Sequence, residues 1–146
     1  MTANAIKVRD ETFAMVRLAL IQREPSAKLY WEGVPGNDSP ASSDTWARFS
    51  LLHVVGEQAT LAGEFGARRW RRTGLVTAQC FAPLSSGSVR RALELAVVVR
   101  DALQGRQSPS SVWYRSPKIM EIGEDRSWFQ VNAVIEFTYD ELTPPP

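Results

Sequence analysis

The chain has 146 residues, 44% of them hydrophobic and 23% charged, a composition that buries one core and lies far from that of disordered chains. A net charge of +1 excludes binding of a polyanion by bulk electrostatics and leaves only local patches, felt within a screening length of about 10 Å. The lone Cys80 excludes an intrachain disulfide, no apolar run approaches the ~18 residues of a membrane span, and Met1 to Lys7 lack the basic-then-apolar pattern of a signal peptide, so folding in a cytoplasm is expected.

From about Ile6 to Glu24, Ile6, Phe13, Val16 and Leu20 recur near helical spacing, with Met15, Leu18 and Ile21 widening the stripe. Asn4 or Asp10 caps this helix and Pro25 stops it. Leu29-Tyr30-Trp31 reads as a short strand, and the turn formers from Gly33 to Asp44 as a loop, expected to be mobile. Trp46 to His53 alternates as a half-buried strand, with Ala47, Phe49 and Leu51 on one side and Trp46, Arg48, Ser50 and Leu52 on the other. The glycines from Gly56 to Gly66 suggest a hairpin-like loop. The next strand, about Trp70 to Ala82, places Val76, Ala78 and Cys80 opposite Leu75, Thr77, Gln79 and Phe81, and Pro83 ends it.

Ser85-Ser86-Gly87-Ser88 offers caps for a second helix with an apolar stripe of Val89, Leu93, Ala96, Val97 and Leu103, and Gly105 sits where a helix-ending glycine belongs. Two strands follow, Val112 to Ile122, interrupted at Pro117, and Trp128 to Tyr139, joined by a turn over Gly123-Glu124-Asp125-Arg126. The last alternates most cleanly, with Phe129, Val131, Ala133, Ile135, Phe137 and Tyr139 on one face and Gln130, Asn132 and Glu136 on the other. The order of elements predicts an α+β single domain over residues 1–142, a mainly antiparallel mixed sheet with two helices packed on one face, and a flexible Pro-rich tail over 143–146.

Chemistry is hard to find. Nucleophilic catalysis needs a nucleophile, a base and an orienting group together, and the chain has one histidine, His53, at a strand end and one cysteine in an expected core strand. Zinc-ligand spacing and phosphate-binding glycine motifs are both missing, and the carboxylates Asp10-Glu11, Glu121, Glu124-Asp125 and Asp140-Glu141 read as solvated charges. No catalytic residue, cofactor or metal is expected. The concentrated feature is Arg68-Arg69-Trp70-Arg71-Arg72 at the start of a strand. Arginine with tryptophan suits phosphates and bases, but also protein interfaces, and a row of charge also protects a solvated strand edge. Alternation puts Arg69 and Arg71 on one face and Arg68, Trp70 and Arg72 on the other, and on a nearly neutral chain a protein interface fits better than nucleic acid.

The segments Leu29-Tyr30-Trp31-Glu32-Gly33-Val34-Pro35, Thr45-Trp46-Ala47-Arg48-Phe49-Ser50, Gly66-Ala67-Arg68-Arg69-Trp70-Arg71-Arg72-Thr73-Gly74, Gln79-Cys80-Phe81-Ala82-Pro83 and Ser127-Trp128-Phe129-Gln130-Val131-Asn132, in this order and spacing, resemble the tail terminator (tail completion) proteins of long-tailed bacteriophages and prophages. The resemblance implies a non-enzymatic virion protein of the neck end of the tail, assembled in the host cytoplasm. Such a protein forms a homohexameric ring that caps the tail tube, ends its polymerisation and docks the head–tail connector. Its partners would be itself, the tube protein and the connector, with DNA only as cargo through the lumen and no membrane. Arg68, Arg69, Trp70, Arg71 and Arg72, with Trp46 and Arg48, are the candidate subunit or partner interface. The competing readings are a nucleic-acid-binding accessory protein using the arginine segment and an enzyme built on His53 and the carboxylates.

Overall fold

The computed structural model describes residues 3–35, 39–58 and 68–143, so parts of the two expected loops and the residues Pro144 to Pro146 lie outside it. The first helix, α1 (Ala5–Arg23), starts where the Asn4 side chain accepts a hydrogen bond from the Lys7 N–H at 2.9 Å, the first of the two expected caps. It buries Val8, Thr12, Val16 and Leu20, one residue per turn. This stripe is narrower than the sequence pattern suggests: Ile6, Leu18 and Ile21 are 73%, 60% and 51% exposed, because α1 lies at the flank of the domain and turns one narrow face to the second helix and the sheet.

Five strands follow the order β1-β2-β3-β5-β4 in one sheet: β1 (Lys28–Trp31), β2 (Trp46–Gln58), β3 (Arg68–Pro83), β4 (Trp113–Asp125) and β5 (Trp128–Thr143). Among the described residues only β1 with β2 is parallel. The second helix, α2 (Ser88–Leu103), joins α1 on one face of this sheet, which is the expected α+β layering. The core between the layers takes Ala47 and Phe49 of β2, Val76, Ala78 and Cys80 of β3, and Val131, Ala133, Ile135 and Phe137 of β5, the same alternating positions that the sequence assigns to one face. An aromatic pillar runs from α1 into the sheet, Phe13 to Trp31 at 5.0 Å and Trp31 stacked on Phe49 at 4.4 Å. Each large aliphatic side chain enclosed here contributes about 1.5–3 kcal/mol.

Four local expectations change. β2 runs past His53 to Gln58 across a bulge between His53 and Val55, because it stays paired with β3 throughout. α2 buries Ala92, Leu95, Val98 and Val99 besides the expected Ala96 and Leu103, while Val89 is 40% exposed; the helix is rotated toward the small residues that let it approach β3 and β5. Gly87, not a serine, holds its cap position and caps no helix N–H with a side chain, while its own N–H donates to Ser85 Oγ at 3.3 Å. The final hairpin turns at Arg126-Ser127, with Arg126 at φ +56°, so Gly123 belongs to a bulge in β4 instead. At Gly74 a Cβ would lie 2.1 Å from the Leu52 carbonyl oxygen and 2.5 Å from the Phe137 ring; glycine here lets Phe137 fill the core beneath β3.

Candidate interaction surface

The helices leave the opposite sheet face uncovered, and the strand register lays it out in rows. At one end Trp46 stands opposite Phe81, their rings stacked at 4.0 Å and 10°, with Trp128 edge-on to Trp46 at 5.5 Å and Tyr30 at 5.6 Å. Arg48 reaches across to the Gln79 side-chain oxygen at 2.7 Å, its guanidinium over both stacked rings. The loop before β2 closes this cluster: the Trp128 indole N–H donates to the Asp44 carbonyl at 3.1 Å, and Lys28 pairs with the Asp44 carboxylate at 2.9 Å. The Lys28 bond and the Ala41 N–H hold the Asp44 carboxyl below the usual carboxylate range. The end of a loop expected to be mobile is therefore tied down. Trp46 and Phe81 are only 8% and 2% exposed, so Trp46 is spent on intramolecular packing while Arg48 remains exposed.

The arginine segment lies at the other end. Arg69 and Arg71 project from the helix-free face, and Trp70 and Arg72 from the helix side, as alternation predicts. Arg68 opens β3 opposite Thr143. What the sequence does not reveal is the matching acid on β5: Arg69 and Arg71 both approach Asp140 at 3.6 Å, and Arg72 meets Glu141 at 3.1 Å while stacking over Trp70. Arg115 and Glu136 add a pair at 3.5 Å further in. Asp140 and Glu141, assigned above to plain solvation, are thus the residues sequence reasoning missed; only the β3–β5 register, Arg71 opposite Asp140 and Trp70 opposite Glu141, brings them in. Such exposed pairs contribute about 0–1 kcal/mol each, and they offset part of the local positive field.

His53 sits where β2 leaves the core, bonded to the Tyr139 hydroxyl at 2.7 Å and edge-on to Phe137. Burial, and then the Arg72 cation, lower its pKa against a smaller opposing effect of Glu141, whereas burial raises the Tyr139 hydroxyl to about 12. Cys80 is fully enclosed and its thiol is pushed up to about 12 by burial. His53 stands opposite Gly74, six residues before Cys80 along β3, which separates the two side chains by roughly 20 Å at the usual strand rise. They do not form a nucleophile–base pair. Among the described residues no three His, Cys, Asp or Glu side chains gather to hold a metal ion, and no helix is long and apolar enough to cross a membrane.

No family model and no curated protein matches the chain. Solved structures do. One chain superposes with a TM-score of 0.54 at 16% identity, covering 92% of this chain and 97% of that one. A chain from the virion of a native gene transfer agent particle gives a TM-score of 0.54 at 13% identity, covering 91% and 94%. At these identities the likeness is one of fold, and it extends over almost the whole of both chains.

Proposed function

We propose that this chain is a structural virion protein of the tail terminator type, a subunit that rings and caps the finished tail tube and presents a docking surface to the head–tail connector. The observation that carries the proposal is the end-to-end fold likeness to a component of a virion, which agrees with the motif resemblance drawn independently from the sequence. Supporting it, the reactive side chains are dispersed: Cys80 is sealed in the core and His53 is bonded to a tyrosine of high pKa. The carboxylates that face the arginines are engaged in ion pairs.

The same pairs count against a nucleic-acid reading. Counterion release needs arginines free to neutralise phosphates, and Asp140 and Glu141 already offset part of the charge of Arg69, Arg71 and Arg72. The test is electron microscopy of particles from a strain lacking this protein. The expected result is tails of uncontrolled length that fail to join heads, restored by the parent gene; normal tail lengths would sink the proposal.

A further inference from the structure

The sheet has two open edges of unusual character. β1 covers β2 only from Trp46 to Phe49, with the Glu32 N–H on the Phe49 carbonyl at 3.0 Å as the last bond. Since the Thr45 and Phe49 carbonyls face β1, the two-residue repeat of a strand turns Leu51 and His53 to the same side. Over Leu51–Gln58 no strand pairs with that edge among the described residues. The usual protections of an edge are Lys, Pro, a bulge or a covering loop; this stretch has no Lys or Pro and one acidic residue, Glu57, and carries only the bulge between His53 and Val55. Leu52 is 63% and Val54 58% exposed.

β4, at the far side of the same sheet, also has a free edge segment, one that carries Lys118, three acidic residues and a bulge between Glu121 and Gly123. Its first residues are covered by the segment after α2, through Gly105 N–H to the Tyr114 carbonyl and the Gln107–Trp113 bridge. Beyond the irregularity at Pro117, no strand among the described residues pairs with the outer side of Lys118–Asp125, a stretch of the same length as Leu51–Gln58. It too exposes two aliphatic side chains two residues apart, Met120 at 42% and Ile122 at 53%. Leu52 and Met120 both lie on the helix-free face, opposite Leu75 and Asn132 respectively.

The strand directions fit as well. β2 and β5 run one way, β3 and β4 the other, so β4 of one copy set beside β2 of the next would continue the sheet as an antiparallel ladder, the stronger pairing. In that direction the β1-covered end of β2 falls beyond the Arg126-Ser127 turn, and the covered start of β4 falls beyond Gln58, so neither cover obstructs the joint.

We propose that the occupant of the free β2 edge is β4 of a second copy of this chain, and that copies join through this antiparallel strand contact, with Leu52 and Val54 against Met120 and Ile122. The contact uses a different patch on each copy, the heterologous kind that closes into rings. It rests on the ring reading above and specifies the surface that builds the ring.

Within one chain Leu52 and Met120 are three strand spacings apart, roughly 14 Å, too far for a disulfide, whose Cβ atoms lie about 4 Å apart; any cross-link is therefore between copies. Chains carrying Leu52→Cys, Met120→Cys or Ile122→Cys are purified in the Cys80→Ala background and oxidised alone and in mixtures. The expected result is rapid covalent dimer formation when the Leu52 variant is mixed with the Met120 or the Ile122 variant, and little from any variant alone. A Leu52→Lys chain should lose at least tenfold in association by sedimentation while keeping its circular dichroism, and adding Met120→Glu should restore it. Cross-linking of the Leu52 variant to itself, or no cross-linking in either mixture, overturns the strand contact. If the parent nonetheless sediments as a ring, the ring stands and only this surface is wrong, whereas failure of the terminator reading shows separately as normal tail lengths in the null strain.

Discussion

The two ends of the sheet use the same residue types in opposite ways. Trp46 and Arg48 at one end, and Trp70 with Arg69, Arg71 and Arg72 at the other, look alike as sequence. At the first, Phe81, Trp128 and the Asp44 loop close over Trp46, so tryptophan carries packing and arginine only roofs it. At the second the arginines stand partly in water against β5 carboxylates, Arg69 and Arg71 on the helix-free face and Arg72 on the helix side. A tryptophan enclosed by its own chain supports the fold, whereas arginines paired across neighbouring strands keep part of their side chains in water.

The comparison breaks most readily at Trp46. Replacing Trp46 with Ala removes the centre of the aromatic stack and should cost about 3–5 kcal/mol, read as a lowered midpoint in urea denaturation with an unchanged slope. A loss below about 1 kcal/mol would mean that the cluster is not structural. At the arginine end the effect should fall on assembly. Arg69→Glu with Arg71→Glu faces Asp140 with like charge, so stability should drop by less than about 1 kcal/mol per exposed pair lost, while ring formation or tail attachment fails. A double variant that caps tails as well as the parent would reduce this end to a solvated edge.

The smallest effects belong to the reactive side chains between the two ends. Cys80→Ala should cost about 1 kcal/mol and leave capping intact. His53 has a folded pKa below its ordinary value of about 6.5, so below that pH the unfolded chain takes up the proton more readily. Stability is therefore full above about pH 6.5 and falls as the pH drops through it, levelling only below the folded pKa. His53→Gln should flatten that slope in denaturation curves between pH 7 and pH 5 and still complement a null strain. A folded variant that cannot cap tails would bring the enzymatic reading back.

The faces of β3 and β5 were legible in the sequence because a strand puts alternate residues on opposite sides whatever its partners; Val76, Ala78 and Cys80, and Phe129 through Tyr139, fall where the alternation puts them. So were the Asn4 cap, the irregularity at Pro117 and Gly105 at φ +67° after α2, since each depends on the backbone limits of the residue itself. The helix stripes were less legible. Ile6, Leu18 and Ile21 are as apolar as Val8 and Leu20, and only the position of α1 at the flank decides which of them the core reaches. The extension of β2 to Gln58 likewise came from pairing with β3, against a local pattern that reads as a loop. Register decided the rest: it set Asp140 and Glu141 against the arginines, held His53 far from Cys80, and left Leu51–Gln58 and Lys118–Asp125 without a pairing strand on the outer side among the described residues. These are relations between segments distant in the chain, and no local propensity encodes which residue of one strand will stand opposite which residue of another.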